Sequence, residues 1–288
     1  MYTSPEEDRS DLFLAAGVYV LGPELLGVIL GRIPIPAAVG PYLSLVVIIL
    51  TTVAVPLWLI RYRKQRFSDF GFDGQIPAMG FGLLAALPVA LAYVLSNALG
   101  RSDLLVGIPV LDAVLYGTYV EAALSVVSGL CVTLLVIYAT VKARNAFRAD
   151  AAYIPLTMRT LARYAGIVGA VAAVLLLLTV IAQGLDILGT MQVLLVPLAV
   201  GASGYLVHQS LRGSQLTTRA TLLTPMVLMA VGSFVIFAEA FEIVFGLWRA
   251  AVLAGVGLIV GALLESRRTA WAPLGFAVGL VLLTPLLR

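Results

Sequence analysis

The chain has 288 residues, of which 61% are hydrophobic and only 11% are charged, and its mean hydropathy is +1.06. A water-soluble fold cannot bury that much apolar surface, so the composition indicates an integral membrane protein. The apolar runs are continuous and do not alternate every second residue, which excludes a β-barrel and predicts an all-α polytopic helix bundle. The net charge of +3 is ordinary for basic loops at a membrane and does not indicate nucleic-acid binding.

The metal-binding side chains are few, with one cysteine and one histidine in the whole sequence. The cysteine, Cys131, lies inside an apolar run, and the histidine is His208. These counts exclude a disulfide framework, a thiolate metal cluster and a pair of histidines for haem. The sequence therefore predicts no metal and no other cofactor.

Nine apolar stretches predict nine transmembrane helices, because roughly 20 apolar residues cross a hydrocarbon core of roughly 30 Å. Breaks between them carry charge or turn residues, such as the IPIP and RYRKQR segments. The stretches are Leu12 to Leu30, Val39 to Ile60, Ala78 to Leu99, Leu111 to Val141, Leu161 to Ala182, Leu188 to Val207, Ala220 to Phe237, Leu247 to Leu264 and Ala270 to Leu287.

The basic residues predict the orientation of these helices. With nine crossings, one side of the membrane collects 14 of the 18 Lys and Arg residues. Cytoplasmic loops are enriched in Lys and Arg, so we expect a multi-pass protein of the cell membrane with its N-terminus in the cytoplasm and its C-terminus outside. The acidic first residues do not resemble a cleavable signal peptide. The 14 residues are Arg9, Arg61, Arg63, Lys64, Arg66, Lys142, Arg144, Arg148, Arg159, Arg163, Arg212, Arg219, Arg267 and Arg268.

Small residues at helical spacing predict places where helices approach closely. Gly166, Gly169 and Ala173 form one such series, and Gly257 and Gly261 form another. We expect these positions to serve packing and not chemistry. Residues 1–288 form one integral membrane domain in this interpretation, with N-terminal helices and basic loops in 1–185 and a core region in 186–288.

The C-terminal segment GLIVGALLESRRTAWAPLGFAVGLV contains a Gly-x-x-x-Gly helix, a short polar turn and an aromatic-Ala-Pro sequence. It resembles the closing segment of the CPBP family of CAAX prenyl proteases and bacteriocin-processing (Abi-type) proteins, in which a His-x-x-x-Asn motif follows. Here the position of the family's His holds Ala277, and that of its Asn holds Val281. Four residues keep the family's spacing: Gly257, Gly261, Trp271 and Pro273.

Two earlier segments extend this resemblance. SFVIFAEAF is similar to the family's Phe-x-x-x-His helix, with Phe241 at the His position. PLAVGASGYLVHQSLR is similar to the Glu-Glu-x-x-x-Arg-Gly helix, with Leu198 and Ala199 in place of the two Glu and Ser203 in place of the Arg. The resemblance implies a CPBP-like core. The family's glutamates and histidines are thought to activate water or hold a metal for peptide-bond cleavage, which these replacements cannot do. The resemblance thus implies a catalytically inactive relative.

Four charged residues are candidates for polar positions within the membrane. Glu239 and Glu242 share one helix face, and Arg249 follows as an opposite charge. Buried together they would suggest a cation or proton site. The helix from Arg219 to Glu239 is about long enough to cross the membrane once. This length favours solvated charges at the outer end of the bundle instead of buried ones. Glu121 faces either the bundle interior or the outer interface, and both alternatives stay open.

Three functions are compatible with these residues. The first is a non-catalytic protein whose former active-site cavity holds a lipid, a prenyl chain or a partner helix. The second is a small transporter or channel that uses Glu121, Glu239 and Glu242 as ion or proton sites. The third is a divergent active intramembrane metalloprotease rebuilt from those glutamates. No His or Lys is expected inside a helix to act as a general base, so a serine hydrolase is excluded.

Overall fold

The computed structural model describes residues 3–30, 32–33, 36, 39–98, 119–148, 153–183, 187–209, 216–237 and 243–286. Over these residues the chain is an all-α polytopic bundle, as the composition predicts. Its helices are α1 (Pro5–Leu30), α2 (Gly40–Tyr62), α3 (Ala78–Ala98), α4 (Tyr119–Ala146), α5 (Met158–Gln183), α6 (Ile187–Gln209), α7 (Arg219–Phe237), α8 (Ile243–Arg267) and α9 (Trp271–Leu286).

One helix boundary and one internal turn differ from the hydropathy pattern for local reasons. Helix α1 begins at Pro5, seven residues before the apolar run, because Ser4 and Glu7 form a reciprocal capping box. The Ser4 amide donates to Glu7 over 2.9 Å, and the Glu7 amide donates to Ser4 Oγ over 3.2 Å. Helix α2 contains a π-helical turn at Leu50–Ala54, where Thr51 and Thr52 donate their hydroxyls to backbone carbonyls of the preceding turn.

Six of the described helices are long and apolar enough to cross a membrane. They include all or most of α1, α2, α3, α4, α5 and α8, while shorter apolar helices cover Arg219–Gly232 and Trp271–Leu283. The outer surface of the bundle is apolar as well, with Phe13, Leu84 and Ile181 more than half exposed. Such a surface requires lipid around it, so the chain is a multi-pass membrane protein.

Helix α8 is the central helix, and it contacts α4, α5, α6, α7 and α9. Its closest approach is to α7, where a Cβ added at Gly257 would lie 2.8 Å from the Met226 Cα and would overlap the Pro225 carbonyl. The predicted packing role of Gly257 and Gly261 is therefore confirmed. The equivalent prediction for Gly166 and Gly169 is wrong, because nothing lies within 4 Å of a Cβ at either position.

The N-terminal and C-terminal parts of the chain interleave. Helix α9 packs along α3, and α7 packs against α1 and α4. The α3 to α9 contact is close, since a Cβ at Gly279 would lie 2.8 Å from Ala86 and one at Gly275 would lie 2.8 Å from the Met79 Cα. The division between 1–185 and 186–288 is therefore crossed by extensive helix packing.

One end of the bundle is held together by polar contacts between connections that are far apart in the chain. We call it the basic face: α1, α3, α5, α7 and α9 begin there, and α2, α4, α6 and α8 end there. Strand β1 (Ile154–Pro155) pairs with β2 (Leu216–Thr217) in antiparallel register. The Ala270 amide donates to the Gly71 carbonyl over 2.9 Å. These contacts fit helices that cross in alternating directions.

Candidate functional site

A cavity of about 350 Å³ lies between α1, α2, α4, α7, α8 and α9, and it is open at exposed lining residues such as Pro41 and Ser44. We call it the central cavity. Its wall is mainly aliphatic, and none of the described residues that line it is charged. The lining positions lie in the middle of α8 and α9, in the first half of α4 and in the part of α2 before its π-helical turn. The cavity therefore extends from the middle of the bundle towards the end opposite the basic face.

Five hydroxyl-bearing residues line the central cavity, and three of them donate to carbonyls of their own helix. Ser44 donates to Gly40 over 3.2 Å, Ser128 donates to Leu124 over 2.8 Å, and Thr133 donates to Gly129 over 2.8 Å. A hydroxyl satisfied within its helix adds little polarity to a wall. The other two are Tyr19 and Ser125.

The positions that correspond to the family motif divide into two groups. Ala277 and Val281 on α9 both line the central cavity. Leu198 on α6 is 68% exposed on the outside of the bundle, whereas Ala199 and Ser203 are buried. None of these three α6 residues lines the central cavity. Phe241 lies outside the described residues. Among the described positions, the structure thus brings together the two that the resemblance aligns with the family's His and Asn.

The α6 helix has a cavity of its own beside it. About 170 Å³ lies between α5, α6 and α8, and Gly201 and Gly204 are among its lining residues. The open space next to Gly169, where sequence spacing predicted close contact, belongs to this second cavity.

The charged candidates fall mostly outside the described part of the chain. Glu239 and Glu242 lie outside it, and Glu121 is the third residue of α4, with a side chain that is not described. Arg249 on α8 is buried, with 4% exposed, which differs from the solvated position that the sequence favoured. The described residues therefore leave the predicted glutamate sites untested.

A buried ionic cluster at the basic face was missed by the sequence analysis. The Lys142 ammonium lies 2.7 Å from both Asp8 Oδ1 and Asp11 Oδ2, and all three side chains are at most 2% exposed. Arg63 adds contacts of 2.7 Å to Glu7 and 3.1 Å to Asp11. The expectation that no His or Lys lies inside a helix is wrong, because Lys142 belongs to α4 and His208 to the last turn of α6. The position of Lys142 directly after a long apolar run was the available signal.

A third buried carboxylate ties three elements of the basic face together. Glu265, near the end of α8, is 7% exposed. It accepts a hydrogen bond from Thr217 of β2 over 3.2 Å and one from Arg144 of α4 over 3.4 Å. Nearby, Asp73 accepts from Thr269 over 3.0 Å, and its carbonyl accepts from the Trp271 indole over 2.7 Å. These contacts position helix ends at the basic face.

Within the described ranges, no group of three or more His, Cys, Asp or Glu side chains is arranged to hold a metal ion. The buried carboxylates at Asp8 and Asp11 are occupied by cationic side chains. The central cavity has no titratable side chain other than Tyr19 in its described wall. An arrangement of this kind suits an uncharged, largely apolar group.

Comparison with protein-family models, curated proteins and solved structures finds no match to this chain.

Proposed function

We propose that this chain is a non-catalytic membrane protein that holds an apolar chain, such as a lipid acyl or isoprenoid chain, in the central cavity. The observation that carries this proposal is the cavity itself, about 350 Å³ with an aliphatic wall and no charge among its described lining residues. Desolvating a charge in such a wall is costly, whereas an apolar group gains the free energy of leaving water or of filling empty space.

The size of the cavity supports an organic ligand larger than benzene. Engineered apolar cavities of about 150 Å³ stay dry and bind benzene, and ligand pockets in proteins commonly measure roughly 300 to 1,000 Å³. The central cavity falls in that range. It also lies among membrane-spanning helices, where acyl and isoprenoid chains are the most abundant apolar molecules.

The resemblance to the CPBP family supplies a hypothesis for the origin of the cavity. Ala277 and Val281 stand where the family has a His and an Asn, and both are small or apolar residues in the cavity wall. Replacement of catalytic side chains by such residues would leave space for a ligand and remove the means of hydrolysis. The exposed position of Leu198 gives this hypothesis no support from α6.

The uncharged wall also favours an apolar ligand over the alternative of an ion or proton path through this cavity. Ion pathways are lined by charged side chains or by backbone carbonyls. We further propose that the basic face, which carries most of the Lys and Arg residues, lies on the cytoplasmic side of the cell membrane. The N-terminus is then cytoplasmic, the C-terminus lies outside, and the bilayer itself is the source of the ligand.

The experiment compares two tryptophan variants in binding of a radiolabelled long-chain alcohol to the purified protein in nanodiscs. Ala277→Trp places an indole in the central cavity and should abolish saturable binding. Leu198→Trp adds the same indole to an exposed position of α6 and should bind like the wild type. Val281→Phe, a smaller obstruction of the same wall, should weaken binding if Ala277→Trp fails to fold.

Equal binding by the wild type, Ala277→Trp and Val281→Phe would overturn the proposal, provided that each variant retains a cooperative thermal unfolding transition. Absence of saturable binding to the wild type would overturn it as well.

A further inference from the structure

The Tyr19 hydroxyl is a polar group in the wall of the central cavity. Tyr19 on α1 is 3% exposed and lines the cavity. Among the residues that the structure describes, none forms a hydrogen bond with its hydroxyl. Native proteins rarely leave a polar side-chain atom inside a helix bundle without a hydrogen-bond partner.

The position of this hydroxyl is fixed by packing. Its oxygen lies directly against Gly232 of α7, where an added Cβ would overlap it, so the absence of a side chain at 232 provides the space. Gly232 also lines the cavity. Tyr19 follows Leu12 and Ala15 on the buried face of α1, which holds the ring between helices. The hydroxyl is therefore held at the cavity wall and is not free to turn towards the bundle surface.

The basic face offers Tyr19 no partner either. Asp11, the nearest buried carboxylate along α1, is eight residues away, which is about 12 Å along a helix. Both Asp11 oxygens already contact cationic groups, Lys142 and Arg63. The side of the hydroxyl that remains available is the cavity.

We infer that Tyr19 donates a hydrogen bond to an oxygen of the ligand, and that the ligand is a neutral long-chain molecule with a hydroxyl or carbonyl group. This inference rests on the proposed function and specifies its ligand class. A charged head group is excluded by the same uncharged wall that carries the proposed function. A pure hydrocarbon would fill the space but leave the Tyr19 hydroxyl unsatisfied.

The test measures the binding of two probes of equal chain length, 1-decanol and decane, to two proteins, the wild type and one variant. Each probe competes with a radiolabelled long-chain alcohol for the wild-type protein and for Tyr19→Phe, which keeps the ring and removes only the hydroxyl. The affinity for 1-decanol should fall about tenfold in Tyr19→Phe, while the affinity for decane should stay unchanged. Comparing the two probes across variants cancels their different partitioning into the bilayer.

The matched control is Tyr138→Phe, which deletes another buried tyrosine hydroxyl, one that lies at the basic face and does not line the cavity. It should leave both affinities unchanged. If Tyr19→Phe changes neither affinity, or Tyr138→Phe lowers the affinity for 1-decanol as much, the role of Tyr19 is overturned while saturable binding still supports the cavity. If neither probe competes in the wild type, the ligand class is wrong. If no saturable binding exists, the proposed function and this inference fail together.

Discussion

The ammonium of Lys142 lies 2.7 Å from Asp8 Oδ1, and both side chains are buried although 134 residues separate them in the chain. This contact joins the start of α1 to the end of α4. Together with Asp11 and Arg63 it forms a cluster in which each buried charge faces an opposite one. The cluster fixes the positions of α1, α2 and α4 relative to one another along the bundle axis at the basic face. The central cavity lies further from that face in the same bundle.

Removal of the cation alone should be strongly destabilising. Among the described residues, Lys142→Met leaves the buried Asp8 carboxylate with the Thr3 hydroxyl as its one side-chain donor. We expect a loss of about 3 to 5 kcal/mol in the free energy of unfolding, the range found when one partner of a buried pair is removed. Denaturant or thermal unfolding in detergent measures it. The double variant Asp8→Asn with Lys142→Met removes both charges and should recover much of the loss, and a double variant less stable than Lys142→Met would contradict this account.

The α7 to α8 contact predicts a contrast between two glycine substitutions. Gly257→Ala introduces a methyl group against the Pro225 and Met226 backbone, which cannot move without shifting α7. It should cost about 1 to 3 kcal/mol. Gly166→Ala adds the same methyl group to α5 where nothing lies within 4 Å, and should be neutral or slightly stabilising. Equal melting temperatures for the two variants would show that α7 and α8 are not in close contact.

The buried Glu265 predicts a local effect on the connections at the basic face. Glu265→Ala removes the acceptor for both Thr217 and Arg144, which hold β2 and the end of α4. We expect tryptic cleavage in these connections to accelerate about tenfold, since a hydrogen bond to a charged group contributes about 1.5 to 3 kcal/mol. Glu6→Ala, at an exposed residue of α1, should leave the cleavage rate unchanged. An unchanged rate in Glu265→Ala would mean that Glu265 does not hold the connections.

The sequence was sufficient to predict the bundle because the bilayer sets the length of an apolar helix. It also predicted the close approach at Gly257, where small residues recur every fourth position. The same pattern at Gly166 and Gly169 was misleading, because spacing does not say whether a second helix lies opposite. Helix α1 began earlier than its apolar run since a capping box, Ser4 with Glu7, extends it into polar residues.

The candidate site could be predicted only in part. Ala277 and Val281 were singled out by resemblance, and both line the cavity. Tyr19 was not singled out, because a tyrosine in an apolar run looks like any other core residue until its neighbours in space are known. Lys142 was attributed to membrane topology, and Asp8 was one of the acidic first residues, because a single charge at a helix end is ordinary and only the fold brings the two together.

Photo-crosslinking with an alkyl diazirine probe in native membranes, followed by peptide mass spectrometry, tests the central claim most directly. Annular lipid will label exposed residues such as Ile181 and Leu198 in any case. The account predicts additional labelling at cavity residues of α4, α8 and α9, such as Leu130, Val256 and Leu280, and predicts that excess unlabelled long-chain alcohol suppresses it selectively. Labelling confined to the exposed residues, with none that the competitor suppresses, would contradict the claim that the central cavity holds an apolar chain.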